Sequence, residues 1–397
     1  MATAFDRRFI LKIFEGFSIE RWNDLVRPFE LIEMDKTAEK TVLAYIIGKI
    51  EESRGATIDW TRIIYGSFFD LLRKIALCDI KAPVQRMIQV EYPEEYLKLN
   101  EWVIDQYRDC LPDSDFLSEF NNYLIESSDR KDVTWRVLRA AHKFATLREV
   151  EMLRVVNEPF RLIDIERGLN ADLCEFLDLK GLQLLVTKQQ PYNFLMQIER
   201  LRFQTRWNQT PRVPRTSVLG HSYFVAAMSL LMSRSLGLSP CRMYGNFFSG
   251  LFHDLPEAVT RDIISPVKQA TRQLPLVVKE IEDRIVHDEL IPVMDDSFRD
   301  EILYFTNDEF ENRVLLPDGT QKKVTYEELN GNYNAAAFMP IDGKIVRLAD
   351  HIAAYVEADS SISHGITSKH LRDGKQNILS IYPPGTIING LDAASFF

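Results

Sequence analysis

The spacing of apolar residues along the chain is that of α-helices almost throughout. Near the start, Phe9, Ile10, Ile13 and Phe14 form an apolar stripe at spacings of one, three and four residues. A denser stripe of the same kind runs over residues 42–50. Such spacings place apolar side chains on one face of a helix. The pattern therefore predicts an all-α fold.

One segment of the second half departs from the helical pattern. Residues 314–324 contain two short extended runs on either side of the sequence Pro-Asp-Gly at 317–319, which is typical of a turn. We therefore predict a small β-hairpin insertion in an otherwise helical chain. The insertion, between residues 308 and 342, is placed either to cover a substrate or to form a plain surface excursion.

The two halves of the chain contain a weak internal repeat. Short segments of the first half recur in the same order in the second half, and four such matches favour a duplication. The matching pairs are 20–23 with 205–208, 65–69 with 244–248, 79–84 with 262–267, and 137–142 with 346–351. We therefore predict two tandem helical domains, residues 1–188 and 189–397.

Composition limits the classes of function. The net charge of −10 argues against nonspecific binding to a nucleic-acid polymer, although it leaves room for a local basic pocket. The four cysteines lie far apart without a CxxC pair, which fits neither a zinc knuckle nor a disulfide scaffold. The N-terminus is charged where a signal peptide is apolar, and no apolar run approaches the length of a membrane span. We expect a cytoplasmic protein with no membrane partner.

The second half carries three chemically distinctive features in order. His221 opens an apolar helical stripe, His253-Asp254 is followed by Glu257, and Asp350 lies inside an apolar helix. A buried carboxylate such as the last is costly unless a metal ion or another partner satisfies it. Two imidazoles and two carboxylates suit one divalent ion, whose identity (Mn, Co, Fe, Ni, Zn or Mg) stays open.

Each feature also has a structural explanation when it is taken alone. His221 is compatible with a helix-end histidine whose ring is hydrogen-bonded, and His253-Asp254 with a salt bridge at a helix end. Asp350 has Arg347 as an alternative partner one turn away. His287-Asp288 looks like a decoy on a solvated face, because no carboxylate follows its histidine at the fourth position. Only the joint set favours a metal site.

The ordered pattern of these residues resembles the HD-domain superfamily of metal-dependent phosphohydrolases. More narrowly, the segment HDLPEAVTRDIISPVK at 253–268 is similar to the YfbR-like bacterial 5′-deoxynucleotidases. Members of that branch carry an HD-x-x-E-x-x-x-x-D run that ends in Pro-Val-Lys. They also carry an Arg-Trp pair fifteen residues before the first metal histidine, and Arg206-Trp207 stands fifteen residues before His221. The resemblance covers about residues 192–365.

The resemblance implies a metal centre and a proton-transfer group. His221, His253, Asp254 and Asp350 would bind one divalent metal ion. Glu257 would orient or deprotonate the attacking water. Members of the branch are expected to dimerise, so a homo-oligomer is one implied state of this protein.

The resemblance also implies a substrate site. Arg206 would contact the substrate phosphate, since its planar fork suits phosphate oxygens. Trp207 and Asp262 would lie near the sugar, with Asp262 also counted among the catalytic residues, and Lys268 would bind substrate. One position departs from the branch: Gly220 stands where a glutamate usually precedes the first histidine. Base and sugar preference therefore stay open.

The first half lacks these ligands when it is aligned on the repeat. Leu71 falls at the position of Asp254, and Ala141 falls at that of Asp350. Because leucine and alanine cannot coordinate a cation, we expect residues 1–188 to form a degenerate HD-like domain without a metal. Two hypotheses follow: this half takes the place of a second subunit, giving a pseudo-dimer within one chain, or it binds a regulator.

The expected function is metal-dependent release of phosphate from a nucleotide, with a nucleoside or deoxynucleoside 5′-monophosphate as substrate. Two alternatives stay open: a nucleotide triphosphohydrolase or phosphodiesterase, and a regulatory protein that senses nucleotide or metal without turnover. The sequence carries no GxxxxGK[ST] phosphate loop, no GxGxxG turn after a strand and no GxSxG elbow.

Overall fold

The computed structural model describes residues 5–111, 113–126, 132–261 and 271–397. Helices dominate these ranges, which confirms the all-α prediction. They are α1 (Arg7–Phe14), α2 (Glu33–Ser53), α3 (Trp60–Leu77), α4 (Ala82–Glu91), α5 (Pro93–Asp105), α6 (Ser114–Glu126), α7 (Val133–Leu153), α8 (Ile163–Cys174), α9 (Lys180–Val186), α10 (Gln190–Phe203), α11 (Val218–Ser235), α12 (Pro240–Phe252), α13 (Glu257–Thr260), α14 (Leu274–Ile285), α15 (Arg299–Thr306), α16 (Tyr326–Gly331), α17 (Gly343–Ser363) and α18 (Lys369–Ile381).

The predicted hairpin is present as the strands β1 (Asn312–Leu315) and β2 (Gln321–Lys323). They pair antiparallel, with Val314 opposite Lys322. A third strand, β3 (Ile341–Asp342), pairs with the other edge of β1 and leads directly into α17. The insertion is thereby attached to the start of the helix that carries Asp350.

The core of the molecule crosses the expected domain boundary. One cluster of buried side chains runs from Phe5 in the first half to Phe396 at the end of the second. Its centre is the pair α2 and α11, which are buried on nearly all sides. A helix that is buried on nearly all sides lies in the middle of a protein rather than on its surface. The two halves therefore share one continuous core.

The C-terminal segment closes this core against the first helix. The short strands β4 (Ile387–Ile388) and β5 (Leu391–Asp392) form a two-residue ladder, and a 3₁₀ turn follows at Ala393–Phe396. The ring of Phe396 lies 5.3 Å from that of Phe5, and Arg7 Nη1 donates to the Phe397 carbonyl at 3.1 Å. The C-terminal residues are thus in contact with α1 and the residue that precedes it by two positions, Phe5.

Within the described ranges, none of the helices combines the length and apolar character needed to cross a bilayer.

Candidate metal centre

Three helices converge to bring the predicted metal-binding residues together. His221 lies in the first turn of α11, which begins at Val218 because the Ser217 hydroxyl accepts the Gly220 N–H at 2.8 Å as an N-cap. His253 and Asp254 directly follow the last residue of α12. Asp350 lies in the second turn of α17. The chain turns sharply after α12, so His253 and Asp254 can face the same point although they are adjacent in sequence.

The ligand atoms of these residues lie close to one another. His221, His253 and Asp254 each place one such atom within 4.8 Å of the others. Asp254 Oδ2 is 3.7 Å from His221 Nε2 and 3.2 Å from His253 Nε2. Asp350 joins the group through its Oδ1, which is 3.2 Å from His221 Nε2. Ligands about 2.1 Å from one metal ion lie about 3.0–3.5 Å apart, so the arrangement fits a divalent cation.

The imidazole of His253 is held in the form that a metal requires. Its Nδ1 lies 2.8 Å from the Gly250 carbonyl oxygen. A carbonyl only accepts, so Nδ1 carries the hydrogen and, in the neutral ring, Nε2 presents its lone pair to the centre. That Nε2 is buried and has no hydrogen-bond partner among the described residues. A second hydrogen bond that fixes the ring in this way is usual for metal-binding histidines.

The electrostatics of the centre favour a cation. Burial raises the pKa of Asp254, but His253, His221 and Arg206 together lower it to about 2. Burial lowers the pKa of His253, but Asp254 and Asp350 together raise it to about 9. The carboxylates are thus ionised and attract positive charge, either as a proton on the imidazole or as a metal ion. Metal binding at such a site competes with protons.

Arg206 lies beside the centre and is held by a residue that sequence reasoning missed. Its Nη1 is 3.5 Å from Asp254 Oδ2, and its Nη2 is 4.0 Å from Asp350 Oδ1. Its Nε donates to Glu357 Oε2 at 3.3 Å. Glu357 lies seven residues after Asp350 on α17 and is only 1% exposed. A spacing of seven places both carboxylates on one face of the helix, which is the signal that was available in the sequence.

Trp207 belongs to the same cluster. Its indole N–H donates to Glu357 Oε2 at 2.9 Å, and its ring packs against Gly374 of α18, where a Cβ would come within 2.5 Å of it. Its backbone has a φ of 55°, in the left-handed region that non-glycine residues rarely adopt. The contacts fix Trp207 in the wall of the site, while its expected place near a sugar stays a prediction.

Glu257 begins α13, three residues after Asp254. Its backbone N–H donates to the Asp254 carbonyl at 3.0 Å, and its own carbonyl accepts the Gln204 side-chain amide at 2.8 Å. These hydrogen bonds connect the start of α13 to the turn that carries Asp254 and to the residue that follows α10. The expected residues Asp262 and Lys268 lie outside the described residues, so their roles stay predictions.

The structure leaves no room for a side chain at Gly220. A Cβ there would lie 2.7 Å from Asp35 Oδ1 and 2.7 Å from the Phe17 ring. Both residues belong to the first half of the chain. The glycine thus allows the first half to pack directly against the helix that carries His221.

Two other histidines lie outside the centre. His287 and Asp288 have 78% and 65% of their side chains exposed, which confirms a solvated face. His351 points away from the metal ligands and bonds through Nδ1 to the Tyr382 hydroxyl at 2.7 Å.

Comparison with known proteins supports the family. A comparison with curated proteins found no match. Residues 198–379, which include all four candidate ligands, match the family model described as "HD domain". HD domains bind divalent metals and are generally metal-dependent hydrolases. The match supports a relation of residues 198–379 to the HD-domain superfamily.

Proposed function

We propose that this protein is a metal-dependent phosphohydrolase that releases phosphate from a nucleoside or deoxynucleoside 5′-monophosphate. The observation that carries the proposal is the cluster of His221, His253 and Asp254, with Asp350 Oδ1 3.2 Å from His221 Nε2, within a segment that matches the HD domain. Two imidazoles and two carboxylates suit one divalent ion and leave coordination positions for water and a phosphate oxygen.

When bound, such an ion lowers the pKa of water and neutralises charge that develops at phosphorus. The residues of the chain supply the rest of the chemistry. Arg206, already directed at the carboxylates of Asp254 and Asp350, is placed to contact phosphate oxygens through its terminal nitrogens. Glu257, at the end of the metal-binding turn, takes the proton from the attacking water.

The 5′-monophosphate is the part of the proposal that depends on the YfbR-like resemblance. The Arg206-Trp207 pair supports it, because both side chains lie at the metal centre and are tied to it by Glu357. The centre contains one cluster of metal-type ligands among the described residues. This favours a single-metal phosphatase over the phosphodiesterases that need a second metal with additional histidines.

We further propose that the first half is a degenerate HD-like repeat. An isolated antiparallel β-bridge joins Glu20 to Ile32 in the first half. A second one joins Thr205 to Ser217, and each of these residues lies 185 positions after its counterpart in the first bridge. Trp22 shares the left-handed backbone of Trp207, with a φ of 57°. These matches support a repeat whose offset is 185 residues at this point.

That offset places Lys36 at the position of His221. The Lys36 side chain is buried, and its ammonium donates to the His142 carbonyl and the Thr146 hydroxyl. Burial lowers its pKa to about 7. At this position the lysine nitrogen donates to two oxygens, whereas the imidazole of His221 faces the metal centre, which supports an N-terminal half that binds no cation.

The contacts between the halves support a pseudo-dimer. With the 185-residue offset, Asp35 and Gly220 are equivalent positions, and they touch each other. Arg202 pairs with Glu39 at 2.6 Å, and the equivalent residues, Phe17 and Phe224, also pack together. In an interface with two-fold symmetry, each contact recurs with the partners exchanged. The first half would thus take the place of a second subunit.

Phosphate release from a panel of nucleoside and deoxynucleoside mono-, di- and triphosphates, with Mn²⁺ or Co²⁺, tests the proposed activity. We expect release from 5′-monophosphates by the wild type and none by Asp254→Ala, which serves as the blank. Release of pyrophosphate or triphosphate from triphosphates alone would replace the proposal by a triphosphohydrolase. No release from any nucleotide, by a protein that binds metal, would favour a sensor.

A further inference from the structure

We propose that Glu357 is a positioning residue, which orients His221 and Arg206 toward the metal centre and thereby sets the affinity for the metal ion. The inference rests on the proposed metal site but not on the identity of the substrate. It concerns a residue that itself has no expected contact with the metal or the substrate.

The two carboxylate oxygens of Glu357 contact different residues of the site. Oε2 accepts the indole N–H of Trp207 at 2.9 Å and the Nε–H of Arg206 at 3.3 Å. Oε1 accepts the hydroxyl of Thr216 at 2.7 Å and faces His221 Nδ1 at 3.6 Å. One buried side chain therefore joins α17 to the loop before α11 and to the imidazole on α11.

The contact with His221 determines which nitrogen faces the metal. The side chain of His221 is fully buried, and its Nδ1 has no hydrogen-bond partner among the described residues. A carboxylate beside Nδ1 favours the tautomer with the hydrogen on that nitrogen, and it thereby opposes the preference of Asp350, 3.2 Å from Nε2, for a hydrogen on Nε2. The lone pair of Nε2 is then left for the centre. An approach of about 0.5 Å would bring this pair within hydrogen-bond range, and such bonds often shorten only in the loaded site.

Glu357 is suited to this role because its buried carboxylate is paired with a cation. Its Oε2 lies 3.3 Å from Arg206 Nε. Its charge also balances Arg206, whose other two nitrogens then face Asp254 and Asp350. Without that charge, Arg206 would be drawn further onto the two carboxylates and would compete with the metal ion.

The chain contains a matched cluster without metal ligands. In the first half, Glu149 accepts the indole N–H of Trp22 at 2.8 Å and the Nε–H of Arg21 at 3.0 Å. The side chain of Glu149 is as deeply buried as that of Glu357. The hydrogen-bond pattern of the glutamate, tryptophan and arginine is therefore shared, whereas the histidine and the aspartates are present only in the second half. Matched substitutions of Glu149 and Glu357 can therefore distinguish a purely structural role of the glutamate from a role in positioning the metal ligands.

The test is Co²⁺ binding to the full chain, measured by calorimetry and by the visible spectrum of the bound ion. Glu357→Gln keeps the shape but removes the charge. We expect it to weaken Co²⁺ binding by about 10- to 100-fold, the usual effect of removing a partner of a metal-binding histidine. We also expect a changed Co²⁺ spectrum, because the orientation of His221 in the coordination sphere changes. Glu149→Gln should lower the unfolding temperature but leave Co²⁺ affinity and spectrum unchanged.

A second, less disruptive pair of substitutions gives the same test if either glutamine variant fails to fold. Trp207→Phe and Trp22→Phe each remove one indole hydrogen bond, from Glu357 and Glu149 respectively. We expect Trp207→Phe to weaken Co²⁺ binding by about fivefold, as for the loss of a single hydrogen bond, and Trp22→Phe to leave it unchanged.

The proposal is overturned if folded Glu357→Gln binds Co²⁺ as the wild type does, or if the first-half variants weaken binding as much as their second-half counterparts. Phosphate release is measured in parallel on the wild type. A wild type that binds Co²⁺ but hydrolyses no nucleotide would contradict the proposed function and leave the role of Glu357 intact.

Discussion

Asp254 lies on the turn after α12 and Glu257 begins α13 three residues later, and we expect the two carboxylates to have different tasks. Asp254 supplies a ligand oxygen next to both imidazoles. We therefore expect Asp254→Ala to lose metal and activity together. Glu257→Ala should keep the metal but lower kcat by roughly 10²–10⁴, the usual worth of a positioned proton-transfer group.

Metal content and steady-state kinetics on the same preparations measure both effects. Unchanged turnover in Glu257→Ala would reject the role of that residue. Loss of metal from Glu257→Ala would instead make it a ligand.

The ionised carboxylate of Asp35 lowers the free energy of unfolding at neutral pH, because it is buried. Burial raises its pKa to about 6 from 3.8, although Arg202 and the Ser217 hydroxyl oppose the shift and Glu149 adds to it. A raised folded-state pKa contributes stability below about pH 4 that is lost as the pH rises through about 6. Relative to the wild type, Asp35→Asn should therefore gain up to about 3 kcal/mol of unfolding free energy between pH 4 and 7.

Urea unfolding of both proteins across this pH range measures the difference. A difference that stays constant with pH would contradict the buried, proton-binding state of Asp35.

At the residue scale, the sequence indicated the candidate ligands but not the residues that hold them in place. His221, His253, Asp254 and Asp350 were singled out because imidazoles and carboxylates in an apolar context are chemically unusual. Glu357 was missed because the sequence does not indicate what covers the far end of a long helix. Glu357 is buried in part by the loop that contains Arg206 and Trp207, and this loop lies about 150 residues earlier in the sequence.

At the scale of elements, the close approach of α2 to α11 depends on Gly220. A Cβ there would force Asp35 or Phe17 to move. We expect Gly220→Ala to lower the unfolding free energy by about 1–3 kcal/mol, as is typical of overpacking, and to weaken metal binding through the displaced start of α11.

Gly168 in α8 is the matched control, since nothing lies within 4 Å of a Cβ at that position. Gly168→Ala should be neutral or stabilising by up to about 1 kcal/mol, because alanine favours a helix more than glycine does. Equal stability of Gly220→Ala and Gly168→Ala in urea unfolding would rule out the tight contact.

The sequence predicted most elements because an apolar stripe is a property of local spacing. The long helices and the β1–β2 hairpin follow from such local patterns. The strands β3, β4 and β5 were not predicted, because two residues each are too few to show alternation. They form because distant segments meet, as when Ile341 pairs with Arg313.

At the scale of the whole molecule, the two halves share their buried surface. Tyr45 of α2 donates to Glu301 of the second half at 2.5 Å and packs on the rings of Phe248 and Phe252. A fragment of residues 189–397 would expose this surface. We therefore expect that fragment to be poorly soluble and inactive when expressed alone, and to recover when residues 1–188 are co-expressed.

Soluble yield and phosphate release, with and without the partner fragment, measure this dependence. A freely soluble, fully active fragment would remove the case that the first half acts as a built-in second subunit. The shared core was not predictable from the repeat, because internal similarity indicates duplication and says nothing about how the copies pack.

The most direct test of the metal centre is the metal stoichiometry of the protein after chelation and reloading with Mn²⁺. We predict one equivalent bound per chain in the wild type, and weak or no binding in His253→Ala and Asp350→Ala variants that remain folded. Full binding by both variants, or no binding by the wild type, would contradict a centre built from these side chains.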